Sequence, residues 1–193
     1  MVVQMDIYLE NDTSFYKQIK KYIKKDNIIH LKYNNYDIVD DSLIDNFKDQ
    51  DLKFKIYSIC AINIKDIEKR YSYIYDIVCD YLDNLFLEKN LCDFKENRCI
   101  SVRNSSHCKE SLNGCCYGRK RGLCKNFKNG KCSIKSLSCK LFTCRYLKKN
   151  RIKIKVNDIV LLKYFFNNKQ KFILDTSIFK DKNEIIDLLM KNK

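Results

Sequence analysis

Hydrophobic and polar positions alternate along the first third of the chain and then change period. Branched and apolar residues at every second position over Val2–Leu9 predict a strand, and Ile28–Tyr33 and Phe54–Ile59 read as two more. Asp12 or Thr13 caps an expected helix over Ser14–Lys25, with Tyr16, Ile19 and Ile23 on one side. A short helix is expected at Ser42–Lys48. The strongest helical signal covers Ile64–Leu87, where Ile67, Tyr71, Ile74, Val78, Tyr81, Leu82 and Leu85 recur at three- and four-residue steps as a core-facing stripe. Later, Ile152–Val156 reads as a strand and Asn157 as the cap of a helix over Asp158–Phe166. Asp181 and Glu184 make a capping box ahead of Ile185–Met190. A helix-turn-helix is disfavoured there, because the turn lacks glycine and the recognition helix carries Glu184 and Asp187.

Between these regions the pattern breaks down. Eight of the eleven cysteines (Cys99, Cys108, Cys115, Cys116, Cys124, Cys132, Cys139 and Cys144) and all four glycines lie in one stretch. Glycine allows positive φ and close backbone approach, so tight irregular turns around the cysteines are expected. The expected class is α+β: a small N-terminal α+β domain (1–98), an irregular cysteine-rich metal-binding segment (99–150) and a short helical C-terminal region (151–193).

Charge marks the same stretch. Residues 1–98 hold 15 Lys and Arg against 18 Asp and Glu, whereas residues 99–153 hold 15 against Glu110 alone. Lysine outnumbers arginine 31 to 7 and proline is absent, a signature of coding sequence poor in G and C. Such a bias spreads lysine evenly and does not empty one segment of carboxylates. No apolar run approaches the ~18 residues a membrane helix needs, so no membrane partner is expected. The opening MVVQMDIYLEND has no basic stretch followed by an apolar one, so a cytoplasmic location is expected.

Three readings of the clustered cysteines compete. Disulfides suit secreted chains, but the count is odd and a reducing cytosol opposes persistent bridges. Burial as small apolar residues fits Cys60 in a strand and Cys79 on a helix, but not eight cysteines among glycines and lysines. Thiolate ligation of metal accounts for both oddities at once. Clustered thiolates repel, and a zinc or a four-iron cluster with four of them still leaves about −2. A cationic shell of Arg119, Lys120, Arg121, Lys125, Lys131, Lys140 and Arg145 balances that charge.

The metal is less sharply specified. Zinc knuckles use C-x2-C, and no such pair occurs; the gaps from Cys108 onward are six, zero, seven, seven, six and four residues. Irregular spacing is compatible with an iron–sulfur cluster and with zinc held across long loops; the iron–sulfur cluster is slightly favoured as the expected cofactor. His107 is a candidate mixed ligand, while His30 reads as structural.

The run from His107 to Cys144 resembles the YkgJ-type family of zinc- or iron-chelating cysteine-cluster proteins. The similarity lies in Cys115–Cys116, in the C-x2-F-x4-C-x-I of Cys124, Phe127, Cys132 and Ile134, and in the C-x-L-F-x-C of Cys139, Leu141, Phe142 and Cys144. It covers about a fifth of the chain, which otherwise looks like a cysteine-rich bacterial protein. The resemblance implies that Cys108, Cys115, Cys116, Cys124, Cys132, Cys139 and Cys144 chelate. The chain departs from the family in having Ser136-Leu137-Ser138, without proline, before its last cysteine pair.

The expected function is therefore metal binding in electron transfer, sensing or metal handling. The alternative is a zinc-stabilised basic module binding nucleic acid through Arg119, Lys120, Arg121, Lys125 and Arg145, with Tyr117, Phe127, Phe142 and Tyr146 available for stacking. Two metal sites of about −2 absorb only about four of that segment's positive charges, leaving the rest for an anionic partner. No dinucleotide fingerprint, phosphate loop, H-E-x-x-H or nucleophile elbow occurs, and no catalytic residue is assigned.

Overall fold

A computed structural model of the chain describes residues 4–8, 15–23, 28–33, 36–38, 40–89, 91, 94–95, 98–99, 117–118, 122–123, 127–128, 131–132, 134–143 and 145–193. It begins as strand, helix, strand: β1 (Gln4–Tyr8), α1 (Phe15–Ile23) and β2 (Ile28–Tyr33). β1 and β2 pair in parallel, from Gln4 opposite Ile28 to Tyr8 opposite Lys32, an arrangement that needs a connection as long as α1 supplies. β3 (Tyr36–Ile38) returns antiparallel along the distal half of β2, giving the order β1-β2-β3. Because β3 reaches only Leu31, the backbone of Ile29 needs another partner. The amide of Asn63 serves, accepting from the Ile29 N–H at 3.0 Å and donating to its carbonyl at 2.8 Å.

The expected strand at Phe54–Ile59, with Cys60 at its end, is instead helix α2 (Gln50–Asn63). Asp49 caps it, its carboxylate accepting from the N–H groups of Asp51 and Leu52. Leu52, Phe54, Ile56, Ile59, Cys60, Ala61 and Ile62 are all buried. A helix covered nearly all round has no polar stripe, and its apolar run imitates a buried strand. Ile64, expected to open the next helix, closes this one, its N–H donating to the Cys60 carbonyl.

Helix α3 (Ile67–Glu88) is about 33 Å long. Its expected stripe holds except at Ile67, which is exposed: Tyr71, Ile74, Val78 and Leu82 are buried and Tyr81 and Leu85 pack against the core, which also takes Tyr75 and Cys79 from an adjoining face. Among the described residues three two-stranded antiparallel ladders follow: β4 (Phe94–Lys95) with β5 (Arg98–Cys99), β6 (Tyr117–Gly118) with β7 (Gly122–Leu123), and β8 (Phe127–Lys128) with β9 (Lys131–Cys132). Then come α4 (Leu137–Leu141), α5 (Arg145–Lys149), α6 (Val160–Phe165), α7 (Asn168–Thr176) and α8 (Lys182–Met190).

Ile152–Val156 forms no strand. The Lys155 N–H is drawn to the Asp158 carboxylate at 2.9 Å, closing a 3-10 turn over Val156–Asp158, so the helix expected from Asp158 starts at Val160. The helix expected at Ser42–Lys48 is a 3-10 turn over Ile44–Asn46. The Asp181–Glu184 capping box stands as read, and a second box, Asn167 with Gln170, opens the unexpected α7.

Buried side chains from β1, α1, the sheet, α2, α3, α4, α6, α7 and α8 form one cluster. The described residues are mostly helical with a small three-stranded sheet, an α+β arrangement. Gln170, buried on α7, ties this core together by donating to both the Tyr71 hydroxyl and the Leu189 carbonyl. Gln170→Ala takes its donor from the Tyr71 hydroxyl, leaves the Leu189 carbonyl with backbone donors such as the Asn192 N–H and removes half of the α7 cap, so a loss of about 2 kcal/mol is expected in urea unfolding.

Candidate metal centre

Of the eight candidate ligands, Cys108, Cys115, Cys116, Cys124 and Cys144 lie outside the described residues, as do His107, Arg119, Lys120, Arg121 and Lys125. Cys99 and Cys132 are placed by their backbones, opposite Phe94 and Phe127 in their ladders. Arg145 opens α5. Among the described residues no three His, Cys, Asp or Glu side chains gather into a group able to hold an ion. Cys139 on α4 is thus the candidate whose side chain has described surroundings.

Its position is set by how residues 134–141 dock on α3. The Leu137 N–H donates to the Tyr75 hydroxyl at 2.8 Å, and the Ser138 hydroxyl donates to the Leu174 carbonyl at 2.7 Å. Leu137 and Leu141 are buried in the core. Around this apolar contact stands a row of carboxylates, Asp76, Asp80 and Asp83, spaced to share one side of a helix. Lys182 reaches Asp76 at 2.5 Å, Lys135 reaches Asp80 at 2.8 Å, and Lys140 pairs with Asp83. The hydrogen bond to Asp80 holds the Lys135 ammonium above its ordinary pKa. Lys140, expected in the cationic shell around the thiolates, is thus committed to α3. The reason is proximity: α4 packs on α3 beside Asp83.

The three described thiols separate into two kinds. The Cys79 Sγ donates to the Lys135 carbonyl at 3.1 Å, and Lys135 takes φ +45° there. Burial pushes the Cys79 thiol up to about 12, against the opposing pull of the Lys140 ammonium. Burial likewise lifts Cys60 to about 12, opposed by a hydrogen bond from Tyr73. Both are protonated, buried groups at neutral pH. Cys139 is half-buried, and its sulfur accepts the Phe179 N–H at 3.2 Å. Phe179 adopts φ +69°, a left-handed conformation that costs a non-glycine residue about 1–2 kcal/mol. An N–H directed at sulfur complements negative charge on it, as hydrogen bonds to metal-bound thiolates do.

His30 sits on β2 with Nδ1 3.5 Å from Asp37, a structural placement. Sequence reading missed Phe179, which nothing in its neighbours marks. It also missed the acidic row, although the spacing of Asp76, Asp80 and Asp83 was there to be seen. No described helix is long and apolar enough to cross a membrane. No protein-family model, no curated protein and no solved structure matches the chain. The likeness to the cysteine-cluster family therefore stands on its motif residues alone.

The raised thiols give stability a pH dependence of known sign. Below about 8.5 both folded and unfolded chains keep Cys60 and Cys79 protonated, and the stability is fully present. As pH climbs from there toward about 12, the unfolded chain ionises first and stability is lost. The urea midpoint should fall across that window, and a variant carrying Cys60→Ala and Cys79→Ala should show a flatter decline.

Proposed function

We propose that the chain binds metal through the thiolates of Cys99, Cys108, Cys115, Cys116, Cys124, Cys132, Cys139 and Cys144, holding an iron–sulfur cluster in preference to zinc. Its role would lie in electron transfer, sensing or metal handling. The observation that carries this reading is the coincidence of eight cysteines with a single carboxylate between residues 99 and 153. Docking adds support: Cys139 is held on the folded body with a backbone N–H on its sulfur, while Cys60 and Cys79 are withdrawn as neutral thiols. With Lys135 and Lys140 engaged by α3, the charge of bound thiolates falls to Arg119, Lys120, Arg121, Lys125, Lys131 and Arg145. The similarity to a chelating family points the same way.

Purification without oxygen, followed by elemental analysis and a visible spectrum, tests the proposal. Iron with acid-labile sulfide and absorbance near about 400 nm are expected, and Cys139→Ser should lower the metal content. Stoichiometric zinc in a colourless sample would select the other metal. A folded, metal-free protein whose circular dichroism is indifferent to chelator would overturn the reading.

A further inference from the structure

The end of α4, Lys148, the chain from Lys153 to Asn157 and one side of α7 enclose an open cleft of about 500 Å³. Its wall carries four lysines, Lys148, Lys153, Lys155 and Lys171, against one carboxylate, Asp175. Among the described residues none of the four is in an ion pair, unlike Lys135, Lys140 and Lys182 nearby. Burial first, and then the ammonium groups of Lys20 and Lys163 outside the cleft, hold Lys171 below its ordinary pKa. Two phenylalanines line the same cleft: Phe142 is 51% exposed and Phe172 68% exposed. The cleft wall thus sets two exposed aromatic rings among lysines that have no ion-pair partner among the described residues.

We propose that this cleft binds single-stranded nucleic acid, with phosphates on Lys148, Lys153, Lys155 and Lys171 and bases stacked on Phe142 and Phe172. The charge selects a polyanion, and the exposed rings select one with planar faces to offer. A duplex keeps its base faces covered, and an acidic peptide would satisfy the lysines while leaving the rings wet. The site lies outside the arginine- and lysine-rich run at 119–125 and does not depend on the metal reading.

The test uses the full chain as purified and a fluorescein-labelled oligothymidylate of about twelve nucleotides, followed by anisotropy across a salt series. Binding should weaken with a log–log salt slope near about −3, the value for four phosphates neutralised on a single strand. Phe172→Ala, which removes an exposed ring, should weaken binding about tenfold with the slope unchanged. A variant carrying Lys153→Gln and Lys155→Gln should flatten the slope by about 1.4. Thermal melts of both variants should overlay the parent, since neither change touches the core. The proposal is overturned if the strand does not bind, or if both variants bind like the parent, which would move the contact to another basic surface. It is equally overturned if duplex or polyglutamate competes as well as the strand does.

Discussion

Residues 134–141 are held on helix α3 by two kinds of force that do different jobs. Burying Leu137 and Leu141 contributes about 1.5–3 kcal/mol each. The ion pairs of that segment, Lys135 with Asp80 and Lys140 with Asp83, are partly exposed, and such pairs are worth about 0–1 kcal/mol apiece. Apolar contact therefore supplies the adhesion, and the ion pairs fix the register in which it occurs. The match has a compositional basis: an acid-rich N-terminal half meets a segment nearly stripped of carboxylates. Everything proposed about Cys139 depends on that docking, because it brings the sulfur to the Phe179 N–H.

The short helix α4 also joins the two proposed sites. Cys139 lies on its body and Phe142 caps its end, three residues further on. One accepts the Phe179 N–H, and the other lines the lysine-bordered cleft. The thiolate chemistry and the strand-binding surface thus draw rigidity from the same buried pair, Leu137 and Leu141.

Much of the fold could be read from local rules. Alternation gave β2, three- and four-residue spacing gave the length of α3, and Asp181 with Glu184 gave α8. The failures have physical causes. Helix α2 is buried on almost every side, which removes the polar stripe that distinguishes a helix from a buried strand. Tyr75 and Cys79 fell outside the stripe on α3 because that helix is covered on two sides, the second by a segment some 60 residues later in the chain. Helix α7 announced itself only through Asn167 and Gln170, a box with an amide in place of the usual hydroxyl. Of the candidate site, residue types and spacing were visible in the sequence. The role of Phe179 was not, since a left-handed backbone at phenylalanine has no local signature. Nor was the cleft, whose wall combines residues from 141–157 with residues from α7.

The tie between Gln170 and both Tyr71 and Leu189 has a consequence for the chain as it is made. The inner faces of α3 are complete before residue 90 leaves the ribosome, yet their covering helices end at Met190, about 100 residues later. At about 5–20 residues per second, that leaves an apolar surface uncovered for about 5–20 s of every round of synthesis. The nascent polypeptide is then an apt client for a holdase, and the cysteine-rich stretch emerges inside that same interval.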